Sequence, residues 1–508
     1  MEPACIRHTD LPGTSRLFAD FTYHFDRVQR FYRYDPHEPR SLEAAAAEIE
    51  YPDDRRQATV AALTAQNGES ESLRRLAQPG TVAIVTGQQA GLFSGPAYTI
   101  YKAIMAARMA AELTARGIPA VPVFWLATED HDFAEVNHVH LFDREHKPIT
   151  LRVADPNNGR PRPVGGIVPD RVPVEELAAA LAGFPHGEAV ATLVKTAYPP
   201  GATMGAGFRA MLQELLGKLG LIFLDPLDPA IRQIGAPIMA QALESASELK
   251  SKLVERSREL EAAGYHAQVH LDDKTSLFFL LKNGERVPLR RAAPDLKNRA
   301  TELSPNALLR PVVQDYLLPT AAYIGGPGEI AYFAQSQVIY EQLLGRMPVV
   351  ASRACFTLVE PRAAKLLDRY RLSLLEILTD ADSLQARMAR ELVPAEVERA
   401  FTDTCAGVER HLEKLRGALD GFDPTLSAAL ATSGAKIHYQ LQKTRSKIER
   451  ETMRRDRRAS DDARYLHALL YPERHLQERY YSILPFVAEH GLDLIDRLSN
   501  AARLDCPD

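Results

Sequence analysis

No run of about 18 apolar residues occurs anywhere in the 508-residue chain, so a membrane-spanning helix is not expected. The opening stretch, MEPACIRHTDLPGTSRLFADF, has no basic segment followed by an apolar one. No export signal is expected, and a cytoplasmic location is. Cysteine is scarce: Cys5, Cys355, Cys405 and Cys506 are far apart and form no CxxC pair. Neither a disulfide framework nor a cysteine-rich zinc site is expected, and a reducing compartment fits. Charge of one sign is lacking too, because a net charge of −5 over this length argues against a general nucleic-acid binder. Repeats and low-complexity tracts are missing. What remains is an ordinary globular composition, 45% hydrophobic and 25% charged, with room for one large core and further modules.

Residues 1 to about 78 read as helices and loops, ending at Pro79-Gly80. TVAIV at 81–85 is a short apolar run suited to a buried strand. A glycine loop follows, then a helix to Gly117, then the second strand candidate IPAVPVFWLATED. Strand, long helix, strand is the pattern of a parallel βαβ unit, so the expected fold class is α/β. The apolar runs at 219–226, 276–284 and 347–360 are further strand candidates, separated by a proline-rich segment at 154–170 and by long helices. After about 370 the chain turns helical. Val408, Leu412, Leu415 and Leu419, then Ile437, Leu441, Thr444 and Ile448, repeat at 4–3–4 spacing on either side of DGFDP, which predicts a coiled-coil hairpin.

Three stretches carry candidate chemistry. In VTGQQAGLFSGPAYTIYKAI (85–104), Gly87, Gly91 and Gly95 stand between a strand and a helix, where a glycine loop can cradle an anion. It matches neither GxGxxG nor GxxxxGK[ST], but a plain turn has no need of the neighbouring amides Gln88 and Gln89. In TEDHDFAEVNH, Glu129, Asp130 and His131 follow a very apolar strand, which puts them at the ligand crevice of an open sheet. His131, Glu135 and His138 would share one face of a helix there and offer a metal constellation. In YIGGPGEIAYFAQ (323–335), Gly325, Gly326 and Gly328 with Glu329 form a second glycine-rich entry to a helix.

VTGQQAGLFSGPAYTIYKAI, PVFWLATEDHDFAEVNHV, SPNALLRPVVQDYLLPTAAYIGGPGEIAYFAQ and LYPERHLQERYYS together resemble the bacillithiol biosynthesis family of cysteine-adding enzymes, BshC. The resemblance covers most of the chain, with four separated motifs in the family's order. It departs at Tyr101, where the family often has histidine. It implies a Rossmann-like core over 79–370 with connecting-peptide insertions at roughly 140–215 and 255–320. Residues 1–78 would pack on that core, and 371–508 would form a coiled-coil homodimerisation region whose last segment returns to it. The implied activity is a ligase that joins L-cysteine to glucosaminyl-malate, the last step towards a low-molecular-weight thiol.

Making an amide from a carboxylate requires an activated acyl species, so ATP or ADP is the expected nucleotide. Thr86, Gly87, Gln88, Gln89, Gly91, Ser94 and Gly95, with Gly325, Gly326, Gly328 and Glu329, are its candidate contacts. Asp130 or His131, beside Glu129, is the candidate base for the attacking amine. Lys102, Arg310 or Arg353 suit the malate carboxylates, and Gln314 and Asp315 the amino acid or sugar. Two other readings stay open. One is a metal-dependent hydrolase on the His131, Glu135, His138 face, with zinc also conceivable as a holder of the cysteine thiolate. The other is a non-catalytic nucleotide-binding scaffold that recruits a partner through the hairpin.

Overall fold

A computed structural model describes residues 5–272, 275–289 and 294–503. The chain divides into two compact units, one running to Phe356 and resuming at Glu478, the other Thr357–Gln477.

In the first unit, α1 (Asp53–Asn67) precedes β1 (Val82–Gln89), and α2 (Tyr98–Ala115) links β1 to β2 (Ala120–Ala127). A short helix α3 (Phe133–Val136) leads into the hairpin β3 (His138–Phe142) and β4 (Pro148–Arg152). β5 (Ile222–Leu224) and α4 (Pro229–Glu244) follow. Then come β6 (Phe278–Lys282), β7 (Glu285–Pro288) and β8 (Leu303–Pro305), a small antiparallel sheet. α5 (Arg310–Leu317), β9 (Thr320–Gly325), α6 (Pro327–Leu343) and β10 (Val349–Ser352) complete the core.

The main sheet has the order β10-β9-β1-β2-β5 and every pair in it is parallel. Burial on both faces explains why β1, β2 and β9 read as continuous apolar runs and not as alternating ones. The order reverses at β1, with β2 and β5 to one side and β9 and β10 to the other. The topological switch point, where open α/β sheets bind ligands, therefore lies between the carboxyl ends of β1 and β9. Leu17, Phe18, Phe21 and Phe31 of the N-terminal segment share one apolar core with Val85, Val123 and Tyr323 of the sheet. The run at 276–284 forms its strand in the antiparallel sheet and not in the main one. Its isolated apolar pattern does not specify which edge it joins.

β1 continues through Gly87, which pairs with Trp125. A Cβ on Gly87 would stand 2.8 Å from the Trp125 carbonyl oxygen, so only glycine lets these strands lie side by side there. A Cβ on Gly91 would sit 3.3 Å from the Gly95 Cα, and Gly95 itself has φ +64°. The three glycines that stand out in the sequence thus answer to packing and turn geometry.

In the second unit, α7 (Ala381–Leu392) packs against α9 (Pro424–Arg455) and α10 (Arg457–Leu470). Between α7 and α9 runs α8 (Ala395–Asp420), which forms the long hairpin with α9. Asp423 caps α9 by accepting from the Thr425 N–H at 2.8 Å. Gly434 gives Leu412 of the other arm room to approach. Leu415 and Ile437 of the expected stripes are 48% and 40% exposed, as is Phe422 at the tip, at 80%.

Among the described residues Cys355 and Cys405 are free thiols, while Cys506 lies outside them. Cys5 is disulfide-bonded, a pairing that sequence separation alone does not reveal.

Candidate functional site

A cleft of about 740 Å³ opens at the switch point. The carboxyl ends of β1, β2 and β9, the start of α6, and the small β6–β8 sheet all contribute to its wall.

Lys102 reaches the cleft from the first turns of α2. Its buried ammonium donates to the Gly87 carbonyl and to Gln88 Oε1, each at 3.0 Å, and pairs with Glu329. Glu329 caps α6 by accepting the Gly326 N–H at 2.8 Å, and it accepts the Tyr323 hydroxyl at 2.6 Å. Burial works to raise the Glu329 carboxyl, but the Lys102 charge and these hydrogen bonds together hold it below its ordinary value. Burial lowers the Lys102 ammonium. A carboxyl depressed on folding stabilises the protein above its unfolded value, about 4.3. That contribution is lost as pH falls through the folded value. Glu329→Gln is therefore expected to flatten the acid limb of the stability curve, read from urea midpoints between pH 3 and 6; an unchanged acid limb would count against this coupling.

Gln89 answers the question of the paired amides. Its Nε2 donates to Asp130 Oδ2 at 2.5 Å and to Glu135 Oε2 at 2.9 Å, so one amide bridges two carboxylates. Asp130 Oδ1 accepts the His131 backbone N–H at 2.7 Å and lies 3.6 Å from the Arg286 guanidinium. Arg286, on β7, also donates to His131 Nδ1 at 3.0 Å. Guanidinium has no lone pair to give, so Nδ1 must be the unprotonated nitrogen and Nε2 carries the hydrogen. Burial and the Arg286 charge both hold this imidazole below its ordinary value, so it is neutral and presents a donor. Glu129 lines the same wall, buried and ion-paired with Arg232, with burial pushing its carboxyl up.

Arg310 stacks near Trp125 and Tyr323 and donates to the Tyr332 hydroxyl at 2.8 Å. Arg353 is locked to Glu478 by two hydrogen bonds of 2.7 and 2.6 Å. Arg479 lies near the Tyr98 ring. Among the described residues, Arg310 and Arg479 line the cleft without a carboxylate within 4.0 Å, which leaves two cations for an acidic ligand.

Of the residues singled out in the sequence, the structure brings Gly87, Gln88, Gln89, Lys102, Glu129, Asp130, His131, Arg310, Gly326, Gly328, Glu329 and Arg353 to this one cleft. Gln314 and Asp315 stand behind it: Gln314 accepts from Arg310 at 3.0 Å, and Asp315 is buried against Tyr340. Thr86 donates to the Ile324 carbonyl inside the sheet at 2.8 Å, Ser94 contacts Ser482 at 2.8 Å, and Gly325 ends β9. Gly91 and Gly95 are likewise outside the lining. The N–H groups of Gly91, Leu92, Gly95 and Ala97 donate to the carbonyls of Gln89, Val136, Leu92 and Tyr481. Those amides are spent on protein, which does not fit a phosphate cradle.

Sequence reasoning missed Arg286, Phe279, Gln268 and Arg479. The first three come from the insertion and carry no motif signal. Arg479 sits within LYPERHLQERYYS, where the signal was present. The metal constellation does not form on one helical face, because α3 ends at Val136 and His138 begins β3. Among the described residues no group of three His, Cys, Asp or Glu is arranged to hold a metal ion. Tyr101 is fully buried, its ring 5.1 Å from Phe356 and its hydroxyl without a hydrogen-bond partner.

Residues 1–354 match the model described as "Bacillithiol biosynthesis BshC, N-terminal Rossmann-like domain". Residues 356–503 match "Bacillithiol biosynthesis BshC, C-terminal coiled-coil domain". The chain belongs to the BshC family. A relative from Solibacter usitatus, named "Putative cysteine ligase BshC", is 51% identical over 100% of this chain and 99% of its own length. Relatives of the same name from Koribacter versatilis and Salinibacter ruber are 36% and 32% identical. The alignments cover 100% and 96% of this chain and 99% and 94% of theirs. The BshC fold is thus a Rossmann-like α/β core with a helical coiled-coil region, and the enzyme class is ligase. No described helix is long and apolar enough to cross a membrane.

Proposed function

We propose that the cleft joins L-cysteine to the amine of glucosaminyl-malate through an activated cysteinyl intermediate. The observation that carries this reading is convergence: residues from all four motifs, Gln89, Asp130, Arg310 and Arg479 among them, line a single cavity at the switch point. The two carboxylates of the malate portion match the unpaired cations of Arg310 and Arg479 by charge-assisted hydrogen bonding. The amine must lose a proton before or during attack, and Asp130 is the acceptor within the wall. His131 Nε2–H is a donor suited to a carbonyl oxygen on which charge develops.

Activation of the cysteine carboxyl needs an energy source, for which an adenine nucleotide is the reading retained. The Gly91–Gly95 amides do not suit its phosphates, so no step is assigned to that loop. Purified protein incubated with glucosaminyl-malate, cysteine and ATP is expected to yield the amide mass by mass spectrometry. It is expected to yield none when ATP or cysteine is omitted. Absence of product under all conditions would sink the reading.

The exposed apolar residues on the hairpin support a homodimer through 385–455, with Leu415 and Ile437 in the contact. Charged substitution of both is expected to halve the mass seen by light scattering. Retention of the native mass would move the interface elsewhere.

A further inference from the structure

The loop that carries Asp130 and His131 is braced from two sides by inserted segments. On one side runs the proline-rich stretch PRPVGG at 161–166. The Val164 N–H donates to the Asp130 carbonyl at 2.6 Å, and the Gly165 N–H to the Thr128 carbonyl at 2.9 Å. A Cβ on Gly165 would stand 2.3 Å from the Thr128 Cβ, so only glycine lets the two backbones lie that close. On the other side stands Arg286, whose own N–H donates to the Pro161 carbonyl at 2.6 Å. The contacts form a closed circuit, from the loop to the proline-rich stretch, from that stretch to β7, and from Arg286 of β7 back to the loop.

Arg286 closes that circuit with every nitrogen of its guanidinium. Nε donates to Ser304 Oγ at 3.1 Å and Nη2 to the Pro305 carbonyl at 2.7 Å, which fixes the plane against β8. Nη1 donates to His131 Nδ1 at 3.0 Å and lies 3.6 Å from Asp130 Oδ1. The Phe279 ring covers one face, 3.9 Å from the guanidinium carbon. The Arg286 side chain is 9% exposed, against 32% for His131 and 31% for Asp130. A cation so committed has little left for a ligand, and it acts through the two residues it holds.

We infer that Arg286 is a positioning residue of the cleft, which fixes His131 as the Nε2–H tautomer and holds Asp130 and His131 in one relative placement. The inference rests on the reading of this wall as the place of the chemistry. A guanidinium can only donate, so a hydrogen on Nδ1 is excluded while the bond stands. The hydrogen is left on Nε2, the atom the proposed reaction uses. The charges facing the imidazole are Arg286 from β7 and Asp130 and Asp132 from its own loop, with the uncharged Phe279 ring of β6 at 5.5 Å. Burial and Arg286 hold the imidazole below its ordinary value, and the two carboxylates work to raise it. Without the arginine only burial opposes the carboxylates, so the imidazole moves up towards its ordinary value of about 6.5.

Nitrogen NMR of the full-length protein with ring-labelled histidine tests this without any substrate, the His131 signals being those absent from His131→Ala. At about pH 6.5 the wild type is expected to show a bare Nδ1 and a protonated Nε2, a measurement that needs no Arg286 variant to fold. Arg286→Met is expected to be charged at His131 in about half of the molecules there, and to exchange tautomers in the rest. Its turnover should drop about 10²-fold, the loss that a misplacement of about 1 Å brings. Arg286→Lys keeps the charge but cannot hold Ser304, Pro305 and His131 together. It should leave His131 uncharged and still lose most of the turnover. A wild-type His131 with its hydrogen on Nδ1 would overturn the assignment, as would unchanged His131 signals in Arg286→Met or full turnover in Arg286→Lys. Should no amide form under any condition, the ligase reading fails, while the His131 signals still decide whether Arg286 positions that ring.

Discussion

Asp130→Asn is expected to reduce cysteine-dependent product formation by roughly 10²–10⁴-fold, with melting temperature and circular dichroism nearly unchanged. The substitution keeps the shape and one acceptor oxygen, enough for Gln89 or for the His131 N–H but not both, while abolishing the ability to take a proton. The competing explanation of this acidic run is a helix-terminal charge worth about 0.3–1 kcal/mol. The structure assigns that duty elsewhere, since Asp132 caps α3 by accepting the Glu135 N–H at 3.2 Å. Asp130 instead faces Gln89 and Arg286, which come from a different strand and a different sheet. Two distant elements converging on one carboxylate are more than a cap requires. His131→Ala should also slow turnover, by loss of a neutral donor and not of a base. Its effect should therefore carry no added pH dependence near the usual imidazole range. Near-wild-type turnover in both variants would remove this wall from the catalytic centre while leaving the family membership untouched.

The parts of the fold that were legible in the sequence are those whose signal is local. β1 and β2 announce themselves as apolar runs because both faces are buried, and α2 between them by its periodicity. The strand-end rule then brings Gln89, Asp130 and the Gly326–Glu329 turn to one place. What was not legible is long-range. Arg286 lies 155 positions from His131, and its role as partner depends on how the insertion folds back. The glycines are ambiguous for a related reason. A glycine selected for close strand packing, as Gly87 is against Trp125, looks in sequence like one selected for a ligand. Gln314 and Asp315 looked like ligand contacts because they are polar and sit beside Arg310. In the fold Gln314 orients that arginine from behind, and Asp315 is satisfied by Tyr340 and Gln314. His131, Glu135 and His138 had helical spacing, but a spacing is a face only while the helix lasts, and this one stops at Val136.

The largest loss of stability is expected from Arg353→Met. Arg353 and Glu478 are 2% and 3% exposed at their side chains and joined by two hydrogen bonds, with a third from Arg353 to the Ala354 carbonyl at 3.0 Å. Removing the cation alone leaves the Glu478 carboxylate buried without its partner, which costs about 3–5 kcal/mol. Replacing both residues removes the stranded charge as well, so Arg353→Met combined with Glu478→Met should recover much of the loss. The non-additivity, read from urea unfolding of the two single variants and the double, is the test. Arg353→Lys should fall between, because it keeps the charge and loses the two-pronged geometry. The pair also joins the wall of the cleft to the C-terminal stretch, for Glu478 is followed directly by Arg479. Arg479 is thereby positioned by its neighbour's ion pair. A damaged pair should consequently raise the KM for glucosaminyl-malate even in conditions where the protein stays folded. A single variant that loses under about 1 kcal/mol, with KM unchanged, would mean that water reaches this pair and that Arg479 holds its place by other contacts.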